Sequence, residues 1–346
     1  MPLQAQNSTT GTRRRHLLRT LPRLAHALIL ALLTASASVA QAQVSAPAYP
    51  SAPVKIYVGF AAGGGTDLLA RYYAKRLGEK LGQPFIVENK PGNGGGIAVQ
   101  AAVQAPPNGY TLVTGMTGIA IDAALGRSQY DWQRDLAPIA PLGASSNVLV
   151  VSSKSPLRTV ADVIREARNK PLTFGSAGYT TTMHMSGELF KHMAGVDMVH
   201  VPYRGQAPAE LALLTGEIDL LFDNIAGAAP YLASGKFRAI AFTSLARNPA
   251  FPDIPTVDES GLKGFETTGT TFLMAPARTP PAVLKRLEKA SEEISQEPAT
   301  RALLKQMHLM PLSGGSHAVA NYLATEYTKW KKLAGSGGAK GLDVGR

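Results

Sequence analysis

The sequence predicts a two-lobed α/β protein, each lobe a sheet flanked by helices, with the second lobe inserted into the first. Three observations lead there. Apolar strand-like runs alternate with segments of helical periodicity, the pattern of parallel sheets joined by crossover helices. The chain has 346 residues, 45% of them hydrophobic, more than a single core usually holds. The order of elements places two crossings between lobes, near Val150 and Thr270. The chain then divides into lobe 1 (43–149 and 271–346) and lobe 2 (150–270), and a double crossing makes a hinge.

Residues 1–42 precede the fold and read as a secretory signal peptide. Arg13, Arg14, Arg15, Arg19 and Arg23 lead into the apolar run Ala25 to Leu33, and Ala40-Gln41-Ala42 offers small residues for cleavage. The run is shorter than the roughly 20 residues that cross a bilayer. Arg14-Arg15-His16-Leu17-Leu18-Arg19 approximates a twin-arginine signal with Leu in place of Phe, and the general secretory route stands ahead of it. The whole chain carries +11, but five of its 35 Lys and Arg and none of its 24 Asp and Glu precede Gln43, leaving +6 after cleavage. No dense basic run survives, which argues against nucleic acid as a partner. With no cysteine there is no disulfide, thiolate metal site, cysteine nucleophile or lipid-anchor position. The mature protein is expected free in the periplasm.

The elements follow in order. Val54 to Phe60 is a strand, and Asp67 to Leu81 a helix with Leu68, Tyr72, Tyr73, Leu77 and Leu81 on one side, stopped by Gly82. Pro84 to Glu88 is a second strand. A glycine-rich turn, Asn89 to Gly96, precedes a helix over Ile97 to Ala105 and a strand over Tyr110 to Thr114. The second lobe opens with the strand Asn147 to Val151. Helix Val160 to Ala167 behind Thr159, strand Leu172 to Gly175, helix Thr182 to Ala194 and strand Met198 to Val201 follow. Helix Pro208 to Thr215 and strands Ile218 to Phe222 and Phe237 to Thr243 continue it. An extended segment, Phe265 to Met274, and helices near Pro281 to Ser295, Pro298 to Met307 and Ala318 to Lys332 close the chain.

The loops after four strands carry the unusual chemistry. The first strand runs into Gly63-Gly64-Gly65-Thr66-Asp67, where free backbone N–H groups at a helix start suit a small anion. The Lys of a phosphate loop is replaced by Gly65 and only the hydroxyl of Thr66 is kept, so a carboxylate is the expected guest. Ser176 to Thr182, Tyr203-Arg204-Gly205 and Asp223-Asn224 end three other strands, and such loops face one cleft in open α/β sheets. Each has a plainer reading. The glycines serve a tight turn, Asp67 caps its helix or braces the loop, the hydroxyl run caps the next helix, and His184 is a hydrogen-bonded scaffold residue. Tyr203 packs in a turn, Arg204 is a solvated charge, and Asp223 belongs to a strand-end turn.

At these residues the chain resembles the solute-binding receptors of tripartite tricarboxylate transporters, the Bug family of periplasmic proteins. The similarity runs from about Tyr49 to Ala334. It is carried by Tyr49-Pro50, Phe60-x-x-Gly63-Gly64-x-x-Asp67, Val87-Glu88-Asn89-Lys90-Pro91-Gly92 and Pro107-Asn108-Gly109-Tyr110-Thr111-Leu112. Gly187-Glu188-Leu189-Phe190, His200-Val201-Pro202-Tyr203-Arg204-Gly205 and Pro252-Asp253-Ile254-Pro255-Thr256-Val257 continue the series. The resemblance implies a periplasmic-binding-protein (Venus-flytrap) fold that closes on a small organic carboxylate and delivers it to integral membrane transporter subunits. It places Phe60, Ala61, Gly63, Gly64 and Asp67 on one jaw, and Ser176, Gly178, Thr181, Tyr203 and Asp223 on the other. The chain departs from the family at Ala62, where proline is usual, and at Tyr179-Thr180, where Asn-Gly is frequent. The Tyr179 ring either narrows the site or stacks on a flat ligand.

Two rival functions share these residues. An enzyme would need a nucleophile, but Gly175-Ser176-Ala177-Gly178 lacks the spacer of G-x-S-x-G, and a Ser176–His184–Asp223 triad has no geometric support in the sequence. No H-E-x-x-H or close His/carboxylate set points to a metal, and no cofactor is expected. A periplasmic sensor passing its ligand-bound form to a signalling receptor would use the same cleft.

Overall fold

The structure, a computed structural model, describes residues 49–335; the expected leader and the tail from Ser336 lie outside them. Strand β1 (Val54–Val58) leads to helix α1 (Gly65–Leu81), β2 (Phe85–Asn89), a 3-10 turn (Asn93–Gly95), α2 (Gly96–Val103) and β3 (Thr111–Met116). β1 pairs in parallel with β2 and β3. α1 stops where a left-handed residue becomes necessary: Gly82 has φ 78° and its N–H bonds to the Gly78 carbonyl.

Two short helices, α3 (Gly118–Ala124) and α4 (Trp132–Asp135), precede β4 (Leu136–Ser152). The sequence reading places this strand only over Asn147 to Val151, whereas it runs for 17 residues. Then come α5 (Val160–Asn169), β5 (Leu172–Ser176), α6 (Thr182–Ala194), β6 (Met198–Pro202), α7 (Gln206–Thr215), β7 (Leu220–Asn224), α8 (Ile225–Ala233) and β8 (Phe237–Phe242). α5 starts on a reciprocal capping box between Thr159 and Asp162. β9 (Thr268–Pro276), α9 (Pro281–Gln296), α10 (Pro298–Gln306) and α11 (Gly315–Gly335) complete the chain.

The strand order is β2-β1-β3-β9-β4-β7-β5-β6, with β8 also on β4. The sheets are mixed rather than purely parallel, because β9 runs antiparallel to both β3 and β4, and β4 antiparallel to β7 and β8. β4 belongs to both halves. Its residues Leu136 to Ser146 pair with β9, and Asn147 to Ser152 pair with β7 and β8.

Alternation of side chains along the strands fills a core on each face of each half. In the first, Val54, Ile56, Leu112 and Leu273 meet Leu69, Tyr73 and Leu77 of α1 and Leu287 and Ile294 of α9. On the opposite face Val113, Phe272 and Met274 meet α2, α3 and Val319 and Leu323 of α11. In the second half Leu149, Val151, Phe174 and Phe222 face α5 and α6, while Val148, Val150 and Leu221 face α7 and α8.

Where β4 changes partners, small polar residues form a buried knot. Thr243 Oγ1 donates to the Thr267 carbonyl at 2.6 Å and accepts from Asn147 N at 3.0 Å. Asn147 Nδ2 donates to Ser186 Oγ at 3.0 Å, and Ser186 shares a 2.5 Å hydrogen bond with Thr267 Oγ1. Hydroxyl and amide groups pair with one another here, although Asn147 Oδ1 is buried without a hydrogen-bond partner.

Candidate functional site

The loop leaving β1 is held in shape by Asp67. Gly63 takes φ 88° and donates its N–H to Asp67 Oδ2 at 2.9 Å; Arg71 Nε reaches the same oxygen at 2.9 Å and Asn89 Nδ2 donates to Oδ1 at 2.8 Å. Burial pushes this carboxyl up, but the hydrogen bonds from Arg71, Gly63 and Asn89 outweigh it and hold it below its usual value. Asn89 Nδ2 also donates to the Phe60 carbonyl at 3.0 Å. Both Asp67 oxygens are thereby used within the loop, so the bracing role applies.

That scaffold leaves the start of α1 open. Gly64 is its N-cap and brings no side chain, so the first backbone N–H groups of the helix point outward without a capping partner. They face a small cavity of about 40 Å³, room for a few non-hydrogen atoms. Phe60, Ala61, Gly64, Gly65, Thr66 and Met116 line one side, and Ala177, Thr181, Thr182, Met183, Gln206 and Asn224 the other. The second side is built from the starts of α6, α7 and α8, so four helix N-termini converge on one small space. α7 has the side-chain-free cap Gly205; α6 and α8 are capped by Thr181 and Asn224. No lining residue carries a charge. The positive ends of helix dipoles and neutral donors supply the attraction for an anion.

Of the eleven residues singled out in the sequence, Phe60, Ala61, Gly64 and Thr181 line this cavity; the other seven do not. Gly63 and Asp67 shape the first loop. Ser176 Oγ bonds His200 Nε2 at 2.6 Å and accepts from Gly178 N at 3.0 Å. Gly178, with φ 122°, lets the loop turn. Tyr179 sets its ring edge-on to His184 and His200, with the Arg127 guanidinium 5.4 Å from its centre. Tyr203 donates to Glu217 Oε1 at 2.8 Å, and Asp223 is fully buried. The triad weighed above is not assembled: Ser176 pairs with His200, not His184, and Asp223 bonds Gln206. Sequence reading passed over Gln206, Met116 and Met183, while Gly65, Thr66, Ala177, Thr182 and Asn224 lie in loops it marked. Gln206 adjoins the Tyr203-Arg204-Gly205 turn, the one signal that points toward it. A wider hollow of about 1130 Å³ opens between residues 244–250 and 295–313, away from these helix starts.

Behind the cavity lies a pair of carboxyls. Burial, then the neighbouring Glu210 charge, pushes Asp223 well up, and burial raises Glu210 while its hydrogen bond with Asp223 opposes the shift. Burial and the Glu210 charge favour the protonated form of Asp223, so the pair is expected to share a proton. α8 passes close enough that any Cβ on Gly227 would collide with Glu210 and Gln206. A carboxyl raised on folding stabilises the fold fully below the ordinary carboxyl range, and that contribution is lost as pH rises through its folded value. The melting temperature is therefore expected to fall from pH 5 to pH 8, and Glu210→Gln, which removes one acid, to flatten the fall. Parallel slopes in thermal scans would show that the pair shares no proton. Asp122, which burial pushes up to about 6 against its Thr180 hydrogen bond and Arg127, adds to the fall only below about that pH.

The profile of the tripartite tricarboxylate transporter family receptor matches residues 69–338. The chain belongs to this family. Among relatives of this TctC receptor, protein BugT of Bordetella pertussis is 30% identical over 317 residues, 90% of this chain and 97% of the other. A protein encoded in the gbd 5′ region of Cupriavidus necator is 34% identical over 294 residues, 84% and 89% of the two chains. In structure the TctC receptor is similar to R. palustris Rpa4515 solved with adipate, with TM-score 0.80, 33% identity and coverage of 84% of this chain and 98% of that one. MatC from Rhodopseudomonas palustris with bound malate gives 0.79, 29%, 82% and 99%. The TctC receptor shares the two-lobed fold of these solute-binding proteins. Among its described residues no helix is long and apolar enough to cross a membrane.

Proposed function

We propose that this receptor captures a small organic carboxylate between its lobes in the periplasm and delivers it to the membrane subunits of a tripartite tricarboxylate-type transporter. The convergence of four helix N-termini on one small, uncharged cavity carries the reading. Such a site satisfies a carboxylate with N–H and O–H donors and avoids the desolvation cost of a buried ion pair; hydrogen bonds to a charged group contribute about 1.5–3 kcal/mol each. The malate and adipate held by the two relatives support the class of ligand. Phe60, Ala61, Gly64, Gly65, Thr66, Thr181, Gln206 and Asn224 contact the ligand, while Gly63, Asp67, Ser176, Gly178, Tyr179, Tyr203 and Asp223 hold the loops that present them. We read the lobes as exchanging where β4 passes from β9 to β7 and β8, at Ser146–Asn147, a few residues before the crossing at Val150 that the sequence suggests.

Ser176 is fully buried, which favours binding over catalysis. Binding is tested by melting the mature protein against di- and tricarboxylates, acidic amino acids and aromatic acids, using refolded material free of endogenous ligand. An acid at about 100 times its dissociation constant adds about 2.7 kcal/mol of stability. If no acid raises the melting temperature, the reading fails. Loss of uptake in a deletion strain supports delivery to a transporter, and intact uptake with a lost transcriptional response supports the sensor.

A further inference from the structure

We propose that Gln206 makes this receptor select acids that carry a hydrogen-bond donor, a hydroxyl or ammonium group, beside the carboxylate. The inference rests on the carboxylate reading above and adds the chemistry of the neighbouring group. Gln206 Nε2 lies 2.9 Å from the Asn224 carbonyl oxygen and 2.7 Å from Asp223 Oδ1. A backbone carbonyl only accepts, so the atom facing it is the nitrogen, and both of its hydrogens are spent on these two partners. Turning the amide over would set Oε1 against the Asn224 carbonyl, acceptor against acceptor.

The amide oxygen is thus fixed on the opposite side, toward Gly65, which lines the cavity with Gln206 itself. Among the described residues no donor reaches it. The cavity therefore has two unlike walls, N–H donors at the start of α1 and a fixed acceptor across from them. Within about 40 Å³, a ligand whose carboxylate meets α1 puts its adjoining atoms against Gln206. A hydroxyl or ammonium there pairs the acceptor. A methylene leaves it desolvated and unpaired, and a second carboxylate there is repelled.

The test is calorimetry on the mature protein with acids that differ only in the donor: glycolate and acetate, lactate and propionate, malate and succinate, mandelate and phenylacetate. The hydroxy acid of whichever pair binds is expected to bind about tenfold or more tightly than its partner. Gln206→Met, equal in length without the acceptor, is expected to erase that ratio. Gln206→Asn, which withdraws the acceptor by one carbon, serves if the Met variant does not melt cooperatively. Equal binding of the two partners by the unaltered protein overturns the inference and leaves the carboxylate reading standing, as does a ratio that survives both variants. Failure of every acid in the panel to bind or to raise the melting temperature overturns the carboxylate reading, and the inference with it.

Discussion

Gly64→Asp is expected to abolish carboxylate binding while the unliganded protein melts within a few degrees of the unaltered one. Gly64 has φ −76° and ψ 165°, an extended conformation open to any residue, and an added Cβ meets nothing closer than 3.8 Å. The backbone therefore tolerates the change. Aspartate is also a preferred N-cap, so its carboxylate would fold onto the exposed N–H groups of α1 and occupy them from within the chain. A ligand would lose those donors and meet a like charge. With two charged hydrogen bonds lost at about 1.5–3 kcal/mol each, affinity falls by a factor on the order of a hundred or more. Gly64→Ala, tested in the same calorimetric titration, supplies the control for bulk without charge. Unchanged affinity in Gly64→Asp would remove the α1 loop from the site.

The second large effect is expected at Gly94, on the loop after β2. It has φ 59°, and a Cβ there would collide with the carbonyl oxygen of Tyr179, on the loop after β5. Those loops belong to different halves, and Gly178 and Gly118 make the neighbouring close approaches, a Cβ on Gly178 lying 3.2 Å from Gly94 N and one on Gly118 lying 3.1 Å from the Thr180 carbonyl. Glycines thus let the two sides meet backbone to backbone. Gly94→Ala should hold them apart, weaken ligand binding by about tenfold or more and leave the radius of gyration larger with saturating ligand. Gly82→Ala is the comparison. Gly82 has similar left-handed strain, φ 78°, but nothing within 4 Å of the added methyl, so it should cost about 1 kcal/mol of stability and leave binding alone. If both variants bind alike, backbone strain and not approach of the two sides explains the Gly94 effect.

Periodic signals along the chain predicted α1 with its glycine stop, the Thr159 cap and the bounds of α6, because each depends on residues within a turn or two. β4 was legible only in its second part. Leu136 to Ser146 contains Pro138, Pro141 and Gly143, residues that argue against a strand, yet the register shifts fall between Pro138 and Ala140 and between Pro141 and Gly143. The prolines sit at irregularities, where a missing N–H is tolerated. α8 was hidden by Pro230 within it and by its run of small residues. At the candidate site, local chemistry pointed to the glycine loop and the hydroxyl run, but not to which side chains face inward. Asp67 read equally as a helix cap and as a ligand contact or loop brace until Arg71 and Asn89 were seen on its oxygens. Gln206 gave only its place beside the Tyr203-Arg204-Gly205 turn, since its orientation is set by Asp223, 17 positions away, and by a main-chain carbonyl.

The continuous course of β4 through both halves bears on how such a molecule moves. Its ladder to β9 and its ladder to β7 and β8 meet without an intervening loop, so the angle between the halves is stored as twist in an unbroken ribbon. Rotation there draws on many small torsions shared among neighbouring strands rather than on one or two freely swinging bonds. Turning one half against the other would therefore strain the ladders on both sides of Ser146–Asn147, the signature of an elastic joint rather than a free pivot.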